Sequence, residues 1–166
     1  MELVNLVDAG EIDMATIIRP PFSLQSDLHW TTLAQEPYRL IVPCEVPGED
    51  WSALLSSHPF IRYDRSSFGG RQVDRFVRQM HFTLHEVCEL DELEAILQLV
   101  KKGVGVALVP QTCRDPEWPM GVRVLDLGIH TFHRDIGLIH RSRQSLTEPV
   151  RMLADLISDQ FMRGLN

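Results

Sequence analysis

Twice along the chain, an amphipathic helix pattern ends at a glycine and leads directly into a short apolar strand pattern. The two copies are residues 2–18, with Gly10 between helix and strand, and residues 91–109, with Gly103 in the same place. A helix that runs straight into a strand buried on both faces is typical of α/β proteins with parallel strands. Because ligands of such folds bind at the carboxyl ends of strands, the pattern also predicts where a functional site lies.

Apolar periodicity predicts the other elements of the chain. Val73, Phe76, Val77 and Met80 recur at helical spacing, whereas prolines at 20, 43 and 110 follow or end apolar runs that read as strands. The predicted strands are residues 12–18, 28–33, 38–43, 60–63, 82–87, 104–109, 122–127 and 136–140, and the predicted helices are residues 2–9, 71–80, 91–102 and a last helix from Thr147, with a helical turn at 51–55.

Charge and cysteine content exclude several classes of protein. The net charge is -7, which argues against a large phosphate-binding surface, so we expect no nucleic-acid contact by this chain. No apolar run approaches membrane-spanning length, so we expect no membrane partner. Cys44, Cys88 and Cys113 are far apart and form no paired motif. They fit a reducing cytoplasm, and Cys44 and Cys113 are either buried thiols or redox sensors.

The segment 66–70 is the clearest candidate for binding chemistry. It lies between a predicted strand and a predicted helix, and it contains two serines and two glycines. Hydroxyls, backbone N–H groups and a helix N-terminus together suit a carboxylate or a phosphate. Arg62, Arg65 and Arg71 flank the segment. An ordinary capped loop with a solvated charged face is the alternative, and the sequence leaves both open.

Two other strand ends offer candidate contacts. Arg19 and Pro20 follow the strand at 12–18, and Arg19 is either a ligand contact or a surface arginine. Val109 and Pro110 end the strand at 104–109, where a plain strand exit is the alternative. At segment 66–70, we expect Gly69→Trp and Ser67→Glu to abolish anion binding while leaving the thermal melt nearly unchanged.

Metal binding and catalysis find little support in the sequence. His81, His85 and Cys88 are the nearest approach to a metal cluster, but strand alternation puts the cysteine on the opposite side, and a fourth ligand is not evident. The sequence has no nucleophile elbow, phosphate-binding loop, dinucleotide fingerprint or zinc-protease motif. We therefore predict no catalytic residue, no metal and no cofactor.

Four stretches, taken in order, resemble the effector-binding domain of LysR-type transcriptional regulators. Residues 6–15 resemble the family's L-x-x-G-x-L-D-x-A stretch, and residues 33–43 resemble L-x-x-E-x-L-x-L-V-x-P. Residues 58–61 resemble its x-P-F-I strand, and residues 99–110 resemble x-V-x-x-G-x-G-I-A-L-V-P, the most diagnostic part. Each motif alone is weak, whereas four at the right spacing are specific.

The resemblance implies an α/β, two-lobed fold like that of type 2 periplasmic binding proteins. Lobe I would comprise residues 1–37 plus 136–166, and lobe II residues 38–135, with a small effector bound in a cleft. Family members begin with a winged helix-turn-helix that has no counterpart here, and the first lobe also lacks its opening elements. We therefore expect an N-terminally truncated domain with an incomplete first lobe.

The resemblance also implies partners and a binding site. The expected partners are a small effector such as a carboxylate, and further subunits in a homo-oligomer or in a mixed oligomer with a full-length relative. A cytosolic solute-binding or enzymatic protein on the same fold is the main alternative, and a fragment without ligand function is a third. The predicted effector-binding residues are Arg19, Pro20, Tyr63, Ser66, Ser67, Phe68, Gly69, Val109 and Pro110.

Overall fold

A computed structural model describes residues 2–112 and 117–164, with side chains as far as residue 161. The helices are α1 (Glu2–Ala9), α2 (Trp51–Ser57), α3 (Phe68–Gln79), α4 (Leu93–Lys101) and α5 (Glu148–Gly164). The strands are β1 (Met14–Ile18), β2 (Leu28–Pro43), β3 (Phe60–Tyr63), β4 (Glu86–Leu90), β5 (Ala107–Pro110), β6 (Val122–Leu125) and β7 (His133–Arg141). None of the helices described is both long and apolar enough to cross a membrane.

The chain divides into two compact units. Unit 1 comprises Met1–Gln35 and Asp135–Asn166, and unit 2 comprises Glu36–Arg134. The chain passes from one unit to the other twice, once within β2 and once within β7. Unit 1 is therefore built from two separated stretches of sequence, whereas unit 2 is continuous.

In unit 1, α1 packs on the antiparallel pair of β1 and β7. Val4 and Val7 of the helix are buried in a cluster with Ala15 and Ile139. Gly10, at a φ of 75°, ends the helix in the left-handed region that glycine adopts at low cost, as predicted. The expected parallel pairing of β1 is wrong, because its partner β7 runs back from unit 2 in the opposite direction. Ala15 is also the single buried residue of β1.

Unit 2 holds the main core, which is built on an antiparallel group of strands and a separate parallel pair. β2 pairs antiparallel with β5 and with β6. β3 pairs parallel with β4, and a parallel bridge joins Phe60 to Val106. All four residues of β5 are buried, so the strand after Gly103 is covered on both faces as predicted, but its pairing with β2 is antiparallel and not parallel as expected. The largest fully buried side chains of the unit are Tyr38, Leu40, Ile41, Leu55, Phe60, Ile61, Ile96, Leu108 and Leu127.

Two strand predictions differ from the structure. The predicted strands 28–33 and 38–43 form the single strand β2, which continues through Pro37 because that residue's carbonyl still accepts a hydrogen bond from Gln111 N at 2.8 Å. The predicted strand 82–87 is wrong, since β4 begins only at Glu86. Phe82 and Leu84 are half-buried against the core without strand pairing, and this packing produces the alternating pattern.

Because β4 begins at Glu86, the strand alternation considered for His81, His85 and Cys88 as a metal site does not apply. Of the three residues involved, Cys88 alone lies in a strand, and His81 has a left-handed φ of 58° after α3. Residues 2–112 and 117–164 contain no group of three or more His, Cys, Asp or Glu side chains arranged to hold a metal ion. Cys44 is exposed, and its hydrogen bond with Glu45 raises the pKa of the thiol, which disfavours the reactive thiolate. Cys113 lies outside the described residues.

Candidate functional site

The loop between β3 and α3 uses its polar groups internally. Ser67 is the N-cap of α3: its hydroxyl accepts from Gly70 N at 2.9 Å and donates to Asp64 O at 2.8 Å. Ser66 donates from its backbone N to Asp64 Oδ1 at 2.8 Å and from its hydroxyl to Oδ2. These hydrogen bonds from Ser66 lower the pKa of the Asp64 carboxyl. An anionic ligand of this loop would therefore compete with an ionised carboxylate already in place.

Gly69 is a close-packing position. A Cβ on this residue would lie 2.6 Å from Tyr63 Cε1, and its carbonyl accepts a hydrogen bond from the buried Tyr38 hydroxyl at 2.9 Å. The expectation that Gly69→Trp leaves the melt unchanged is wrong, because an indole has no room against these two rings. Ser67→Glu should also lower the melting temperature, because it removes the serine N-cap of α3, a loss that typically costs about 1 kcal/mol.

The arginines that flank the loop differ in availability. Arg62 is 2% exposed and donates to Glu86, with Asp74 Oδ1 at 3.9 Å from its Nη1. Arg65 donates to both Glu86 and Glu89. These two guanidinium groups are therefore held by carboxylates.

Arg71, the third flanking arginine, is exposed. It donates to the carbonyl of Ser66 at 3.1 Å. Within the part of the chain that the structure describes, it forms no ion pair at 4.0 Å or less. Arg71 is thus the flanking cation best able to meet a ligand.

The contacts of Glu86 with Arg62 and Arg65 make the stability of unit 2 depend on pH. Hydrogen bonds, first from Arg62 and then from Arg65, lower the pKa of the Glu86 carboxyl in the folded chain. After unfolding, this pKa returns to about 4.3. Because the folded value is the lower one, the stabilisation is complete above the unfolded pKa and is lost as the pH falls through the folded pKa.

We therefore expect Glu86→Gln to lower the free energy of unfolding at neutral pH, and to lower it progressively less at more acidic pH. Urea unfolding at pH 7 and at about pH 3.5 measures the difference. Glu11→Gln, at an exposed position in unit 1, is the matched control. An equal loss of stability at both pH values would contradict the assignment.

The carboxyl end of β5 opens onto a cavity of about 530 Å³ in unit 2. Val109 and Pro110, both predicted from the sequence, line it together with the first turns of α4. Residues 66–69 are not in its lining. The remaining lining residues described are Leu93, Glu94, Leu97, Thr112, Glu117, Trp118 and Pro119. Leu93 and Leu97 recur at helical spacing within the predicted helix 91–102, a pattern that indicates packing and gives no sign of a cavity.

The carboxyl end of β1 opens onto a second cavity, of about 470 Å³, within unit 1. Residues 19–24 line it, so the predicted contacts Arg19 and Pro20 both belong to it. The Arg19 side chain is 57% exposed, and its guanidinium carbon lies 5.7 Å from the centre of the Trp30 ring. An exposed guanidinium steadied by an aromatic face is suited to a carboxylate or phosphate, which it can bind through two parallel hydrogen bonds.

Asp135 is the residue of this site that sequence reasoning missed. Its backbone carbonyl accepts from Arg19 N at 2.8 Å, and its Oδ2 lies 3.7 Å from Arg19 Nη1. Its Oδ1 accepts from Gln35 Nε2 at 3.0 Å. The antiparallel register of β1 and β7 brings these residues together from distant parts of the chain. No local motif signals that register.

Comparison with known proteins identifies the architecture. Residues 1–162 match the family model described as the LysR substrate binding domain. The regulatory domain of CcmR from Synechocystis PCC6803, in complex with 2-PG, superposes with a TM-score of 0.79 at 19% identity, over 96% of this chain and 78% of that one. No curated protein sequence is significantly similar to the chain.

Two further structures share the fold. The effector-binding domain of QuiR in complex with shikimate has a TM-score of 0.78 at 14% identity, over 98% of this chain and 78% of that one. The bromide-bound regulatory domain of HypT from Salmonella typhimurium has a TM-score of 0.78 at 15% identity, over 96% and 77%. The predicted α/β class and the two-lobed fold like that of periplasmic binding proteins are thereby confirmed.

Proposed function

Because this chain belongs to the LysR substrate-binding domain family, it is a small-molecule effector-sensing domain of the LysR type, and we propose that its effector is a small anion bound by Arg19. The observation that carries this proposal is the exposed guanidinium at the cavity after β1. Solved relatives lend it support: the QuiR structure contains shikimate and the HypT structure contains bromide, and both ligands are anions.

The other predicted contacts extend the proposal to unit 2. Ser66 is exposed, and it lies beside the exposed Arg71 at the start of α3. Tyr63, Ser67, Phe68 and Gly69 shape that loop, and Val109 and Pro110 line the cavity after β5. Because the loop hydroxyls are occupied by Asp64, we assign the leading electrostatic role to Arg19 and a secondary role to this loop.

The proposed mechanism is differential affinity. An effector that binds one conformation more tightly shifts the population toward it, and the change is passed to the packing of subunits. We assign unit 1 to lobe I and unit 2 to lobe II of the family fold, and we propose a cytoplasmic, non-enzymatic domain. The oligomer is either a homo-oligomer or a mixed one with a full-length relative. Promoter binding by such a relative, unaltered by excess chain, would rule out the mixed form.

Replacing Arg19 by Gln tests the effector proposal. Shikimate and phenylacetate serve as probes, and their binding is followed by the shift in melting temperature and by calorimetry. We expect both acids to raise the melting temperature of the natural chain, because a ligand that binds the folded state stabilises it by mass action. Arg19→Gln should abolish the shift without lowering the melting temperature of the free chain.

The matched control is Arg75→Gln, which removes the same charge from an exposed position on α3. This variant should retain the shift. A shift that survives Arg19→Gln, or that Arg75→Gln removes equally, would contradict the proposed site.

A further inference from the structure

The cation at the unit 1 cavity has a fixed anion beside it. Arg19 Nη1 and Asp135 Oδ2 are 3.7 Å apart, which is too far for a direct hydrogen bond. Each group therefore retains hydrogen-bonding capacity toward a third partner. The side chain of Asp135 is 25% exposed, so a bound molecule can approach it.

Gln35 fixes the orientation of this carboxylate. Its amide donates to Asp135 Oδ1 at 3.0 Å, and the main-chain bond from Arg19 N to Asp135 O holds the backbone beneath. With Oδ1 engaged, Oδ2 stays directed toward the guanidinium. The site thus presents a donor group and an acceptor group side by side.

A ligand that matches this pair needs two adjacent groups of opposite hydrogen-bonding character. A simple carboxylate placed on Arg19 meets repulsion from Asp135, because like charges a few ångströms apart oppose each other. A carboxylate with a hydroxyl or ammonium group on the neighbouring carbon instead donates a hydrogen bond to Oδ2. Hydrogen bonds to charged groups are among the stronger ones in proteins.

We propose that the Arg19–Asp135 pair makes unit 1 selective for 2-hydroxy or 2-amino carboxylates over the corresponding unsubstituted acids. The inference rests on the proposed function, since it requires the carboxylate to be bound at Arg19. Phe22 and Leu24 line the cavity beside Arg19, so aromatic acids are suitable probes of the site.

Mandelate and phenylacetate form the test pair, because they differ only in the hydroxyl group next to the carboxylate. Calorimetric titration of the natural chain should show racemic mandelate binding about tenfold more tightly than phenylacetate. Asp135→Asn removes both the repulsion and the charged acceptor. Phenylacetate should therefore bind this variant more tightly than the natural chain, and the ratio of the affinities for mandelate and phenylacetate should fall to within about twofold. Asp13→Asn, an exposed position in the same unit, should keep the tenfold ratio.

The outcomes separate this inference from the proposed function. The selectivity is overturned if both acids bind the natural chain equally well, or if the tenfold ratio of affinities survives Asp135→Asn. In either case, loss of binding of both acids in Arg19→Gln would still support the anion site. If Arg19→Gln binds both acids as tightly as the natural chain, the proposed function and the selectivity fail together. Absence of binding by either acid at millimolar concentration also overturns both.

Discussion

Replacing Arg134 by Met should lower the free energy of unfolding by about 3–5 kcal/mol. Arg134 donates from Nε to Glu36 Oε2 at 2.6 Å, and the two side chains are 9% and 5% exposed. The variant removes the guanidinium and leaves the Glu36 carboxylate in a site from which water is largely excluded. Removing one partner of a buried ion pair is among the costliest changes in a protein interior. Urea unfolding measures the loss.

The double variant Glu36→Leu with Arg134→Met is the decisive control. A buried ion pair repays its own desolvation poorly, so replacing both partners by apolar residues should cost much less than removing one. We expect the double variant to be more stable than Arg134→Met alone. Glu36→Leu alone completes the comparison. If the double variant loses as much stability as the two single variants together, the two side chains are not energetically coupled.

Replacing Gly70 by Ala should destabilise the chain by about 1–3 kcal/mol or more, although alanine normally favours helices. Gly70 lies in the first turn of α3, and a Cβ there would be 1.9 Å from the backbone oxygen of Asp64 and 2.7 Å from that of Tyr63. These atoms belong to the main chain at the end of β3, so they cannot move aside as a flexible side chain would. The helix start would be displaced from the strand end.

Gly103→Ala separates crowding from backbone strain. Gly103 follows α4 at a φ of 76°, and a Cβ there would meet nothing within 4 Å. Its replacement should cost about 1–2 kcal/mol through the left-handed conformation alone. Ser66, whose contacts depend on the β3–α3 loop, should shift its amide resonance in Gly70→Ala and not in Gly103→Ala. Unchanged loop resonances in Gly70→Ala would contradict the crowding argument.

Elements with a strong local pattern were predictable from the sequence. β3 matches the predicted residues 60–63, and α4 falls within the predicted 91–102, because a buried strand and an amphipathic helix each carry their own periodicity. The predicted strand at 82–87 failed because Phe82 and Leu84 alternate in burial without pairing. Periodicity reports which side chains are buried, whereas a strand also needs a hydrogen-bonding neighbour.

The candidate site was predictable only in part. The rule that ligands bind at strand ends pointed to Arg19 and Val109, and both line cavities in the structure. Asp135 could not be found, because its place beside Arg19 depends on the pairing of β1 with β7. The hydrogen bond from the Ser66 hydroxyl to Asp64 was predictable from the local sequence, since an aspartate often accepts hydrogen bonds from the residue two positions later in a turn.

The discontinuity of unit 1 has a consequence for biosynthesis. As the polypeptide leaves the ribosome, residues 36–134 emerge as an uninterrupted stretch, so unit 2 can complete its core during translation. Residues 1–35 emerge before unit 2, yet β1 must wait for β7, the strand with which it pairs. The segment that contains β1 thus stays without its partner strand until residues 133–141 have been made, and during that interval it is exposed to aggregation.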